Sequence, residues 1–264
     1  MQNVRPKKAL GQHFLTDLNV ARRIADTIDG FTDLHIVEVG PGMGVLTQFL
    51  VEKGCDLTVV EIDTESVAWL KANMPALDGH ILEADFLRLD LGEQFNGRKM
   101  CVIGNYPYNI SSQIFFHILQ WRNLVVCCSG MLQKEVAERL AAPPGTKARG
   151  ILSVLLQAWY DVEYLFTVDE HVFNPPPKVK SGVVKLTRNN VDTLGCDETL
   201  FRTVVKTTFG QRRKTLRNSL KGLLPAGAPM PESPLLALRP EQLSVSQFIE
   251  LTNLVDAAKA AAKA

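Results

Sequence analysis

The chain has 264 residues, 46% of them hydrophobic, and its 29 basic and 28 acidic side chains leave a formal charge of +1. That is enough apolar material for a full core in one large domain plus a smaller one, and the near balance of charge excludes a nucleic-acid partner held by overall charge. Any such partner must meet a local patch.

No apolar segment approaches the ~18 residues of a membrane span, and the start, MQNVRPKK, is basic without the apolar stretch of a secretory signal. The five cysteines, Cys55, Cys101, Cys127, Cys128 and Cys196, form no Cys-x-x-Cys pair, and most lie in apolar runs such as LVVCCSGM. Reduced, structural thiols and a cytoplasmic location are expected, with no membrane partner, no metal and a monomeric state.

In chain order, Val20, Ala21, Ile24 and Ile28 recur at helical spacing behind Thr16 and Asp17, either of which can cap a helix. HIVEVG reads as a first strand, followed by a helix over 45–53, the strand DLTVVEID, a helix from Thr64 to Met74 and the short strand HILEAD. MCVIGN, SSQIFFHILQW, LVVCCSGML and QKEVAERLA continue as strand, helix, strand and helix up to a Pro-Pro-Gly turn at 143–145. This alternation is that of a parallel sheet covered by helices on both faces. ILSVLLQAWYDVEYLFTV and SGVVKLTR extend it, with VVKLTR as a β-hairpin arm, and turn residues Asn189, Asn190, Asp192 and Gly195 mark a boundary. Beyond it the patterns are helical: TLFRTVVKTTFG, QRRKTLRNSLKGLL and QLSVSQFIELTNLV, with a Pro-rich linker before the last and DAAKAAAKA as a frayed tail. The expected division is residues 1–190 and 191–264.

Within the first strand, HIVEVGPGMG places Gly40, Gly42 and Gly44 at alternate positions directly after an apolar run. Such a turn lets a ligand approach the main chain. The spacing differs from the Gly-x-Gly-x-x-Gly of a dinucleotide fold, so no pyrophosphate is required, and Glu61 ends the next strand where a ribose diol is held in folds of this kind. Glycines and acid together point to an adenosyl cofactor. The fourth strand runs into Asn105-Tyr106-Pro107-Tyr108 at the same sheet edge. There an Asn carbonyl, the free main-chain carbonyl before a proline and an aromatic face suit a planar amine-bearing base. An exocyclic amine has its lone pair delocalised into the ring. Two acceptors holding its hydrogens favour pyramidalisation and aim the lone pair at an electrophilic carbon, and the proton leaves after attack.

KKALGQHFL (7–15), EVGPGMGVLT (38–47), Glu61, EADFL (83–87), NYPYNISS (105–112), MLQKEVAERL (131–140) and FNPPPKVKSGVV (173–184) occur in that order. Together they resemble the small-subunit ribosomal RNA adenine N6,N6-dimethyltransferases, and QRRKTLRNSL and RPEQLSVSQFIEL extend the likeness to the C-terminal part. The resemblance implies a Rossmann-like class I methyltransferase sheet, mostly parallel with one antiparallel strand, and a small all-α C-terminal domain. It implies S-adenosyl-L-methionine as cofactor, with His13, Leu15, Gly40, Gly42, Glu61, Asp85 and Asn105 around it. His13 stands where the family often has Asn. Asp85 has an alternative use as a helix cap before FLRLDL. By the same resemblance Asn105 and the Tyr106 carbonyl hold the target amine, Pro107 shapes the loop, and Tyr108 and Phe173 stack on the two faces of the extruded adenine. Phe173 has the alternative of anchoring the Pro175-Pro176-Pro177 loop.

The implied substrate is 16S rRNA in the small ribosomal subunit, dimethylated at two adjacent adenines of its 3'-terminal hairpin. Lys206, Arg212, Arg213, Lys214, Arg217 and Lys221 form an acid-free basic stretch, expected on a helical face that meets RNA phosphates. Arg5, Lys7, Lys8, Lys147, Arg149, Lys178 and Lys180 are candidates to extend it. A DNA adenine methyltransferase needs a larger reader domain than this C-terminal part. A large-subunit rRNA methyltransferase and a non-catalytic assembly factor also compete as functions for such a chain; intact Gly40, Glu61 and Asn105 argue against the latter.

Overall fold

The computed structural model describes residues 4, 6–7, 10–226 and 228–262. Arg5 and Lys8 lie outside the described residues. Two compact units are present: the described residues up to Glu138 with Asp161–Arg188, and Arg139–Tyr160 with the described residues from Asn189 onward.

The first unit begins with a two-residue strand β1 (Phe14–Leu15) and helix α1 (Leu18–Asp26), which Asp17 caps by accepting from the Asn19 and Val20 amides. Strand β2 (His35–Val39), helix α2 (Thr47–Glu52), β3 (Leu57–Glu61), α3 (Thr64–Asn73), β4 (Ile81–Glu83), α4 (Leu91–Gln94), β5 (Met100–Asn105), α5 (Ser111–Gln120), β6 (Val125–Gln133) and α6 (Lys134–Ala141) follow, the first unit ending within α6 at Glu138. After α7 (Ile151–Gln157), which belongs to the second unit, come β7 (Tyr160–Val168), β8 (Phe173–Asn174) and β9 (Ser181–Arg188).

Seven strands form one sheet in the order β4-β3-β2-β5-β6-β9-β7. The β4/β3, β3/β2, β2/β5 and β5/β6 pairs are parallel, and β9 runs antiparallel to β6 from Cys127 opposite Thr187 to Gln133 opposite Ser181. This is the mostly parallel sheet with an antiparallel strand that the family resemblance implies. All five residues of β2 are buried, and β5 is buried up to its last residue, as strands covered on both faces require. Ile36, Val59, Cys101, Ile103, Cys127 and Met131 of the sheet pack with Ala21, Ile24 and Ala25 of α1 and Phe49 and Leu50 of α2. Because β2, β3, β4 and β5 are parallel, the loops that follow them emerge at one edge, where ligands of open α/β sheets bind. A separate two-stranded ribbon pairs Phe14 with Asn174 and Leu15 with Phe173. All five thiols are free, with Cys101, Cys127 and Cys128 buried.

The second unit holds α7, α8 (Glu198–Gly210), α9 (Leu216–Ser219) and α10 (Val245–Ala261). Trp159 meets Phe201 edge-on at 6.3 Å, and Phe209 stacks on Phe248 at 6.0 Å. Three expectations change here. QRRKTLRNSLKGLL is not one helix: a turn over 211–214 closes with the Lys214 amide on the Gln211 carbonyl, and only Leu216–Ser219 is α-helical before a 3-10 turn. The frayed tail is a helix through Ala261, because α10 buries Phe248, Leu251, Val255 and Ala258 along one stripe and so carries the Ala/Lys stretch with it. Arg149 is not a surface cation. It is 1% exposed, donating to the carbonyls of Leu243 and Ala142 and to Gln157 Oε1, and desolvation lowers its pKa to about 10. Among the described residues no helix is long and apolar enough to cross a membrane.

Candidate functional site

Strand β2 ends in a turn in which Gly40, Gly42 and Gly44 all take positive φ, of 69°, 57° and 72°, a conformation that only glycine adopts without strain. Glu61, at the end of β3, reaches across to this turn. Its carboxylate accepts from the Gly42 amide at 3.1 Å and from the Asp63 amide at 2.9 Å. Burial pushes its pKa up, and these backbone donors oppose that shift. The carboxylate therefore clips the glycine turn to β3, while its further lone pairs stay available to a diol.

Behind it stands Asp63, whose side chain is 1% exposed and accepts from Lys7 Nζ at 2.5 Å, Gln12 Nε2 at 3.3 Å and Ser66 Oγ at 3.1 Å. Burial alone would raise its pKa, but the Lys7, Gln12 and Ser66 bonds together hold it low. The clasp fastens the segment that precedes β1 to the start of α3. Asp85 follows β4 and accepts from the Leu87 amide at 3.0 Å, so it does cap the next turn, and it also borders the cleft.

Asn105 closes β5, and its Nδ2 donates to the His13 carbonyl at 3.1 Å, which turns Oδ1 away from that bond. The Tyr106 amide donates to the Met131 carbonyl at 2.9 Å. Tyr106's ring is buried, its hydroxyl donating to the Ser129 carbonyl at 2.8 Å, beside Cys128 Sγ at 3.2 Å. Gly104 and Gly130, on adjacent strands, make room for that ring. A Cβ on Gly130 would lie 2.6 Å from it and 2.3 Å from the Gly104 carbonyl oxygen. Among the described residues nothing donates to Asn105 Oδ1 or to the Tyr106 carbonyl. Tyr108 shares a hydrogen bond of 2.5 Å with Ser181 and lies 5.4 Å from the His13 ring at a 31° tilt, and His13 Nδ1 is 2.8 Å from the Pro175 carbonyl.

These elements enclose a cleft of about 320 Å³. His13, Leu15, Gly40, Gly42, Glu61, Asp85, Asn105, Tyr106, Pro107 and Tyr108 all line it. Phe173 does not. It is 4% exposed and packed in the core beneath its pairing with Leu15, so it anchors the proline loop and presents no open face to a base. In the second unit Lys206, Arg213, Lys214, Arg217 and Lys221 are exposed, whereas Arg212 is half-buried, donates to the Lys147 carbonyl and lies 3.6 Å from Glu241. Arg212, Arg213 and Lys214 sit on the turn after α8, with Lys206 in α8 and Arg217 in α9, so the stretch is not one helical face.

Sequence reasoning passed over Glu38, which lines the cleft at 1% exposure with Oε2 unpartnered. Burial, with Glu61's charge nearby, raises its pKa to about 8, against the pull of the neighbouring Thr47 hydroxyl. Its signal was an acid in the middle of an apolar strand. Ser181 and the Lys7–Asp63 clasp carried no local signal.

The cleft fits an adenosyl sulfonium compound. Its volume falls in the range of small-ligand sites, the glycine turn at Gly40 and Gly42 brings main chain to its lining, and carboxyl groups Glu38, Glu61 and Asp85 border it.

Known proteins with this combination of residues and fold point in one direction. Residues 3–254 match the family described as Ribosomal RNA adenine dimethylase. A protein of Parabacteroides distasonis called ribosomal RNA small subunit methyltransferase A is 67% identical over 96% of this chain and 94% of its own length. Its counterpart in Flavobacterium johnsoniae is 53% identical over 97% and 98%. Among solved structures, a dimethyladenosine transferase of Plasmodium falciparum superposes with a TM-score of 0.76 at 22% identity, covering 93% of this chain and 98% of its own. The 23S rRNA methyltransferase ErmE gives 0.64 at 24% identity, over 92% and 99%. The two structures speak for the class I methyltransferase fold, and the match over nearly the whole sequence makes this chain a member of the ribosomal RNA adenine dimethylase family.

Proposed function

We propose that the chain transfers methyl groups from S-adenosyl-L-methionine to N6 of two adjacent adenines in the 3'-terminal hairpin of 16S rRNA, within the small ribosomal subunit. The observation that carries this reading is the pair of acceptors left without donors at the end of β5, Asn105 Oδ1 and the Tyr106 carbonyl. Both belong to residues lining the same cleft as the glycine turn. When bound, the cofactor supplies an electrophilic methyl on a sulfonium sulfur. Everything else is the work of the protein.

Glu61 would hold the ribose diol, the main chain of Gly40–Gly42 would pass beneath the cofactor, and Asp85 would meet the adenine amine of the cofactor. The two acceptors would take the N6 hydrogens of the target base, drawing the nitrogen toward a tetrahedral shape and turning its lone pair to the methyl. The proton leaves once the nitrogen has become cationic, so no general base is needed. Tyr108 would stack on the extruded base, a contact worth roughly 1–3 kcal/mol. Phe173 would stack only if β8 moved, since its ring is covered. Arg213, Lys214, Arg217 and Lys206 would contact RNA phosphates, positioning the substrate without reading its sequence. The relatives' name, ribosomal RNA small subunit methyltransferase A, supports the small subunit as the target.

The test is transfer of tritiated methyl groups to under-methylated small subunits. Asn105→Ala should lower kcat by at least about 100-fold, the scale for one transition-state hydrogen bond. Label on large-subunit RNA or DNA, or full activity in the variant, would overturn the reading.

A further inference from the structure

We propose that Ser181 is the positioning residue of the base-stacking tyrosine: its buried hydroxyl holds Tyr108 in one orientation, so that the cleft presents a preset aromatic face to the target adenine. The inference rests on Tyr108 serving as the stacking platform.

Ser181 opens β9 and is 0% exposed. Water cannot reach its hydroxyl, and among the described residues its partner is the Tyr108 hydroxyl at 2.5 Å. The serine is itself firmly placed. It stands opposite Gln133 in the antiparallel pairing with β6, and the next ladder position is closed by the Lys134 amide donating to the Lys180 carbonyl at 2.9 Å. Tyr108, in contrast, lies on a connection between β5 and α5, with no strand of its own to fix it.

A tyrosine ring on a loop has a staggered first torsion and a broad second one. Tying down the hydroxyl at the far end of the ring selects a single combination. Burial pushes the Tyr108 phenol up from its ordinary value and the Ser181 bond opposes that, so the phenol stays neutral and able to donate or accept. His13 adds a second restraint, its ring 5.4 Å from that of Tyr108 and its Nδ1 bound to the Pro175 carbonyl. A site on a strand holds geometry better than one on a loop, and a platform fixed before binding spares the ordering cost when the base arrives.

The experiment measures kcat and KM for under-methylated small subunits, the dissociation constant of S-adenosylmethionine by calorimetry, and quenching of 2-aminopurine placed at the target position. The enzymes compared are native, Ser181→Ala, Ser181→Thr, Tyr108→Phe, Tyr108→Ala and the Ser181→Ala/Tyr108→Phe double variant. Ser181→Ala should raise KM about 3- to 10-fold, the scale of one net hydrogen bond, with kcat and cofactor affinity unchanged and 2-aminopurine less quenched. Tyr108→Phe should raise KM and relieve the quenching to a similar extent, the double variant should be no worse than either single one, and Ser181→Thr should restore native behaviour. Additive effects in the double variant, a weakened cofactor affinity in Ser181→Ala, or native KM in that variant would overturn the proposal. If Tyr108→Ala itself leaves KM and quenching native, the stacking role of Tyr108 fails; if Tyr108→Ala is defective and Ser181→Ala is not, only the positioning role fails.

Discussion

Replacing Glu38 by Gln isolates the cost of keeping an acid inside β2. The carboxyl is buried, Oε2 has no hydrogen-bond partner and Glu61 sits nearby, which raises its pKa from 4.5 to about 8. In the unfolded chain the group ionises near the lower value and in the folded chain near the higher one. Between them the native state binds more protons than the unfolded state, so stability is fully present below pH 4.5 and is lost as pH rises toward 8. One pKa unit is about 1.4 kcal/mol, so Glu38 should cost about 3 kcal/mol between pH 5.5 and 7.5. Glu38→Gln keeps the shape and removes the titration. Whatever constant offset the amide introduces, the difference in thermal midpoint between variant and native protein should widen in the variant's favour, by roughly 6–12 °C over that interval. Differential scanning fluorimetry of both proteins across a pH series measures this. A difference that stays flat with pH would mean Glu38 is ionised in the fold or solvated there, and the reasoning from burial would be refuted.

Gly130→Ala drives a Cβ against the Gly104 carbonyl and the Tyr106 ring. It should destabilise the protein by about 1–3 kcal/mol, and methyl transfer should fall further than the folded fraction, because Tyr106's own carbonyl moves with the ring. Comparing thermal midpoint with specific activity checks both parts. Arg213→Ala and Lys214→Ala, at exposed positions on the turn after α8, should each weaken RNA binding at every sequence alike. The slope of log affinity against log salt should fall by about 1 per lost phosphate contact, measured by filter binding in a salt series. An unchanged slope would remove that residue from the interface.

The sheet and most of the cleft were legible in the sequence because their signals are local. HIVEVG, DLTVVEID and MCVIGN are apolar runs that stop at glycine, acid or asparagine, and a parallel sheet brings those stops to one edge. What was not legible depends on partners distant in the chain. Phe173 looks like an available aromatic until its strand pairs with β1 and covers the ring. Arg149 reads as one more surface cation, yet its acceptors are as remote as Leu243. The basic QRRK stretch has helical spacing, but the chain breaks after Gly210, and Thr215 opens a new short helix. Ser181 gives no hint of its role, since nothing near it in sequence indicates that Tyr108 lies within reach.

The polypeptide crosses between its two units three times, after Glu138, after Tyr160 and after Arg188. Neither unit is therefore a contiguous module. A single scission near residue 190 would leave Arg139–Tyr160 attached to the wrong fragment, with the Arg149 guanidinium separated in the chain from one of its three acceptors, the Leu243 carbonyl. Shuffling the C-terminal helices of one relative onto the sheet of another must carry that internal segment along, or the buried Nε of Arg149 has to find its acceptor in a foreign segment.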